Sequence, residues 1–140
     1  MDWIKCFRKN ESDNPIKSLR GHVNHFLDTK ALREDVKKAH GIAFIANGSL
    51  LPNANCSSSS VCADLSQIVP FVSPPSFEHE FVLPHHGPIR GMLVPSGLTV
   101  IVGGGFHGKS TLLNALKIGA FDRPPGNGCD FVVTISGNSD

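Results

Sequence analysis

Gly103, Gly104, Gly105 and Gly108, followed at once by Lys109 and Ser110, are the residues of this 140-residue chain whose types and spacing could do chemistry. From 103 to 110 the sequence has the form G-x-x-x-x-G-K-S. Glycines at these places let a loop take left-handed backbone angles and turn several N–H groups toward one centre, with no side chain in the way. Such a nest suits a ligand carrying several negative charges. Lys109 would set an ammonium on the β- and γ-phosphates of a triphosphate, and Ser110 would offer its hydroxyl to Mg²⁺. A helix starting here would aim its free N–H groups and positive dipole end at the same ligand. The residues expected to hold a nucleoside triphosphate are therefore Gly103, Gly104, Gly105, Phe106, His107, Gly108, Lys109, Ser110 and Thr111, with Ser110 the metal ligand and no catalytic residue among them. His107 stays open between a role toward the nucleotide, touching the γ-phosphate or sensing it across an interface, and packing away from it; Phe106 is read as a packing residue.

The elements around the loop must place it. Before it, Leu98, Thr99, Val100, Ile101 and Val102 form a β-branched apolar run of the kind buried in a parallel sheet. After it, residues 110–118 have helical spacing, with Leu112, Leu113 and Leu116 expected on one buried face and Asn114 and Lys117 toward solvent. Gly119 falls where a helix C-cap glycine is expected.

Upstream, Phe77, Phe81 and Leu83 alternate with Glu78 and Glu80, which predicts a half-buried strand whose carboxylates point outward as an exposed edge and not as a catalytic pair. Pro84-His85-His86-Gly87-Pro88 turns the chain, a second strand returns over 89–94, and Pro95-Ser96-Gly97 turns it into the loop. Earlier still, Asn14-Pro15 looks like a helix start, with Ile16, Leu19, Val23, Phe26 and Leu27 forming one stripe to bury. Asp28-Thr29 restarts the pattern as a second helix with the stripe Ala31, Leu32, Val36 and Ala39, ended by Gly41. Ile42 to Ala46 form a short apolar strand closed by the turn signal Asn47-Gly48. The expected organisation is a polar, frayed N-terminus at 1–13, a helical and strand segment at 14–52, a Ser/Pro-rich linker at 53–76, and a nucleotide-binding segment from 77 to 140.

Composition bounds the alternatives. With 40% hydrophobic residues the chain can build a modest core, and a net charge of +1 gives no electrostatic argument for nucleic acid. No apolar run approaches the roughly 18 residues of a membrane span, and the start lacks the apolar stretch of a secretory signal, so an intracellular, cytoplasmic protein with no membrane partner is expected. The 4 cysteines contain no C-x-x-C pair, which disfavours zinc. His22 and His25 lie one helical turn apart and His85 and His86 are adjacent; both pairs are read as exposed or packed and not as metal ligands. Arg33, Glu34, Asp35, Lys37 and Lys38 are read as a solvated helix face.

Residues 97–113 resemble the hallmark of one family, the predicted ATPases of the ABC class, in which an aromatic-His pair precedes the Gly-Lys of the loop, as Phe106-His107 does here. The stretches 28–33, 42–52, 69–71 and 89–92 are similar to that family in the same order, so the resemblance covers about 18–134. Where the family loop has the form P-G-D-G-R-E, this chain has Pro125-Gly126-Asn127-Gly128-Cys129-Asp130, leading into Val132-Val133-Thr134. The resemblance implies an α/β, P-loop NTPase-like partial domain: N-terminal helices and an antiparallel β-subdomain leading into a Walker A strand, loop and helix. It implies ATP with Mg²⁺ as ligands and a homodimer for the full-length family. Nothing in the 140 residues resembles a Walker B run or an ABC signature segment, so a fragment of a longer ATPase that binds ATP without turning it over is expected. A function of another class stands beside it, a non-catalytic regulatory module, nucleic-acid-linked, with a vestigial loop.

Overall fold

Pro15 stands at the first position of α1 (Pro15–Lys38), where its missing N–H costs nothing and its fixed φ suits the first turn. The computed structural model describes residues 15–51, 69–105, 107–126 and 130–135. The N-terminus at 1–13 expected to be frayed, most of the linker at 53–76, Phe106, the cysteines and Asn127 lie outside that set. After α1 come β1 (Gly41–Ala46), a 3-10 turn (Pro75–Phe77), β2 (Glu78–Leu83), β3 (Gly87–Pro95), α2 (Lys109–Ile118) and β4 (Val132–Thr134). The strands form one sheet in the order β2-β3-β1-β4, and each neighbouring pair is antiparallel. Helices and a four-stranded antiparallel sheet make the architecture α/β.

The expected hairpin is present, with Phe81 opposite Ile89 and Leu83 opposite Gly87. As an edge strand, β2 exposes Glu78 and Glu80, while Phe81 and Leu83 turn inward. Glu80 pairs with Arg90 across the hairpin and holds its guanidinium above the usual range, chiefly through their hydrogen bond. Phe77 departs from the expected alternation: it belongs to the 3-10 turn and is exposed. The boundary drawn at 53–76 separates stretches that share this sheet, because β1 from before it lies between β3 and β4 from after it.

Alternation along the strands divides the core between two faces. Phe44 and Ala46 of β1 and Val133 of β4 face α1, where they pack with Leu32 and Val36. Ile45 and Val132 point the other way, against Ala115, Leu112 and Leu116 of α2. The helices thus cover opposite faces of one sheet. The buried stripe of α2 is Leu112, Ala115 and Leu116, whereas Leu113, expected inside, is exposed. Among the described residues, no helix is long and apolar enough to cross a membrane.

Three expectations about local structure are corrected. The two helices predicted on either side of Asp28-Thr29 are one continuous helix of 24 residues. Asp28 does not cap anything: its carboxylate is used by a distant turn, and Thr29 donates its hydroxyl to the carbonyl of His25 one turn earlier, so neither interrupts the ladder. The stripe Leu19, Val23, Phe26 and Leu27 is exposed, since the sheet lies beneath only the later part of α1, at Leu32 and Val36. Residues 98–102 form no strand; Leu98, Val100 and Val102 are 94%, 70% and 85% exposed. A buried strand needs backbone partners alongside, and no described strand pairs with these residues.

Gly119 closes α2, but for a different reason from the one expected. Its φ of −61° is ordinary helical backbone, so no left-handed cap requires glycine there. What requires it is β4: a Cβ at this position would stand 2.9 Å from the carbonyl oxygen of Val132. The approach is used, because Thr134 donates its amide to Gly119 O at 2.9 Å and its hydroxyl to Leu116 O at 2.6 Å. From the α1 side Arg33 reaches round the edge to pair with Asp122 and to donate to Gly119 O at 3.2 Å. Arg33 is therefore engaged, and not part of a wholly solvated helix face.

Candidate functional site

Residues 103–105 run as irregular, exposed backbone into Gly108, which takes φ 77° and ψ 6° immediately before α2. That left-handed conformation is strained for residues with a Cβ and free for glycine, so Gly108 sets the angle at which the loop enters the helix. Among the described residues no side chain caps this end. The amides of Lys109, Ser110 and Thr111, in the first turn of α2, lack a carbonyl partner one turn back, as the start of any helix does. They carry the positive end of the helix dipole.

Lys109 does not extend into solvent. Its ammonium folds back across the loop, donating to the carbonyl of Gly103 at 2.6 Å and to that of Gly104. An ammonium has three N–H donors, so two are spent on the loop and one remains. The geometry fixes a positive charge beside Gly103 and Gly104 without neutralising it. The imidazole of His107 also turns back: a Cβ on Gly104 would stand 3.0 Å from His107 Cε1. Any side chain at residue 104 would therefore displace that ring. Gly105 has open space at the same test, and Ser110 is exposed in the first turn of α2. The structure thus brings Gly103, Gly104, His107 and Lys109 together, puts Gly108, Ser110 and Thr111 at the helix start, and leaves Phe106 undescribed.

A second cluster, on the α1 face, had no counterpart in the sequence patterns. Asp28 is 2% exposed, and one of its oxygens accepts the backbone amide of His85 at 3.0 Å while the other accepts that of His86 at 2.9 Å. His85 Nδ1 also lies 2.9 Å from the first oxygen; a carboxylate only accepts, so that nitrogen carries the proton. The β2–β3 turn is pinned to the middle of α1 by these bonds. Next to it, the ring of Phe131 lies between His25 and His86, with centroids 4.9 Å and 4.8 Å away. Phe131 has φ 58°, a left-handed backbone that costs a bulky residue on the order of 1–3 kcal/mol and persists only when its surroundings hold it. No group of three or more His, Cys, Asp or Glu among the described residues is arranged to hold a metal ion.

Sequence spacing could not reveal this cluster, since its members come from α1, the β2–β3 turn and the approach to β4. The one signal was His85-His86 in a proline-flanked turn. Compared with protein families, residues 15–139 match the model described as ABC_ATPase, P-loop domain. No curated protein matches the chain.

Proposed function

Because the chain belongs to the ABC_ATPase P-loop domain family, whose members bind nucleotide, we propose that residues 103–111 bind the triphosphate of ATP together with Mg²⁺. The observation that carries this reading is the Lys109 ammonium, folded onto Gly103 and Gly104 at the uncapped start of α2. A triphosphate laid along the loop meets three favourable features at once: the remaining N–H of that ammonium, the free amides of the first helical turn, and the left-handed entry at Gly108. Ser110, exposed in that first turn, would supply a hydroxyl to Mg²⁺.

The loop supplies the binding step. Hydrolysis also needs a carboxylate to hold the metal and a group to orient water, and residues 103–111 supply neither. Equilibrium binding of a fluorescent ATP analogue with Mg²⁺ separates this from a vestigial loop. Charge-assisted hydrogen bonds contribute roughly 1.5–3 kcal/mol each, so Lys109→Ala should weaken binding by about 10-fold to 100-fold. Equal affinity in both proteins would leave the vestigial module as the better account.

A further inference from the structure

On the α1 face of the sheet, the end of β1, the β2–β3 turn and the residues entering β4 border an open cleft of about 640 Å³. That volume is in the range of small-molecule sites. The cleft is separate from the loop at 103–108: Ala46 and Ile89, which line it, belong to the core beneath α1, whereas α2 covers the opposite face. Ala46, Leu50, Ile89 and Pro125 give it apolar walls. Into it come three planar rings from three separate elements, His25 from α1, His86 from the turn and Phe131 from the approach to β4.

Two observations beyond the cavity itself point to a ligand. Phe131 is held in left-handed backbone, and strain of that kind concentrates where ligands are clamped. The carboxylate of Asp28 is devoted to fixing the turn that presents His86, so the rings are placed and not loosely hung. We propose that this cleft is a second ligand site, for a neutral heteroaromatic compound of about nucleoside size. Aromatic walls favour a planar ring. The imidazoles and the Asn24 amide supply both donors and acceptors for ring nitrogens and exocyclic groups. Among the described residues no lysine or arginine lines the cleft, whereas Asp28 and Asp130 do, which selects against phosphate-bearing ligands.

The test uses the whole chain and adenosine, a neutral heteroaromatic probe that offers the loop no phosphate. Histidine Cε1–H resonances are followed by NMR as adenosine is added. Saturable shifts of the His25 and His86 signals are expected, with His107 unmoved, in wild type and in Lys109→Ala alike. His25→Ala, which puts a strong helix former on α1, should weaken binding roughly tenfold or more. The proposal is overturned by unmoved His25 and His86 signals up to the solubility limit of adenosine, by shifts that need Lys109, or by undiminished binding in His25→Ala. Tighter binding of adenosine monophosphate than of adenosine at His25 and His86 would likewise overturn the neutral class. Because Lys109→Ala removes the triphosphate site and not this one, failure here is distinguishable from failure of the proposed ATP site.

Discussion

Replacing Asp28 by alanine should loosen the attachment of the β2–β3 turn to α1. The carboxylate accepts two backbone amides and His85 Nδ1, at 2.9 to 3.0 Å, and is 2% exposed. Hydrogen bonds to a charged group contribute about 1.5–3 kcal/mol each. The imidazole of His85 is 39% exposed, so water can replace its bond and that share is discounted. The two amides dominate, offset in part by relief of the carboxylate's own desolvation. A net loss of about 3 kcal/mol is expected, a large fraction of the roughly 5–15 kcal/mol that holds a domain together. Asp28→Asn keeps one acceptor oxygen but turns an NH₂ toward a donor, so its loss should be intermediate, about 2 kcal/mol. Urea unfolding followed by far-UV circular dichroism measures both, provided the slope m is unchanged. A loss under about 1 kcal/mol for Asp28→Ala at constant m would refute the claim that this carboxylate fastens the turn.

At Gly119, alanine would gain from a less flexible unfolded chain, by about 0.4–1 kcal/mol, but its Cβ would meet the Val132 carbonyl at 2.9 Å. Backbone cannot yield as a side-chain tip can, so a net loss of about 1–2 kcal/mol is expected in the same unfolding assay, and a gain would count against the close approach. Val100→Asp should change stability by less than about 0.5 kcal/mol because residue 100 is exposed, whereas Val133→Ala, in the core, should cost about 2 kcal/mol. A large loss at residue 100 would mean that 98–102 is buried in solution. Ser110→Ala should weaken ATP binding more with Mg²⁺ than with EDTA; equal weakening in both would remove Ser110 as a metal ligand.

Much of the architecture was legible because it is written in local periodicity. Leu32 and Val36 recur at helical spacing, Phe81 and Leu83 alternate with Glu80 and Val82, and the glycine pattern before Lys109 stands directly ahead of the helix it announces. What was not legible depends on distant partners. Asp28-Thr29 looks like a helix start, yet Asp28 is committed to residues 57 and 58 positions later, so the helix runs through it. Residues 98–102 have the composition of a buried strand, but composition describes a fit to a sheet and cannot supply the neighbouring strands. Gly119 closes the helix as its position suggests, but the close packing that requires glycine there is visible only once β4 is in place. The meeting of His25, His86 and Phe131 likewise follows from the sheet bringing three separate elements together.

Backbone amide spectra of the full chain, recorded as Mg²⁺ and ATP are added, address the phosphate cradle most directly. Saturable shifts are expected at Gly104, Gly105, Gly108, Lys109 and Ser110, reproduced by inorganic triphosphate and lost in Lys109→Ala. Amides of 103–111 that stay unmoved while ATP binds elsewhere, or shifts that persist in Lys109→Ala, would contradict the assignment of this loop as the triphosphate site.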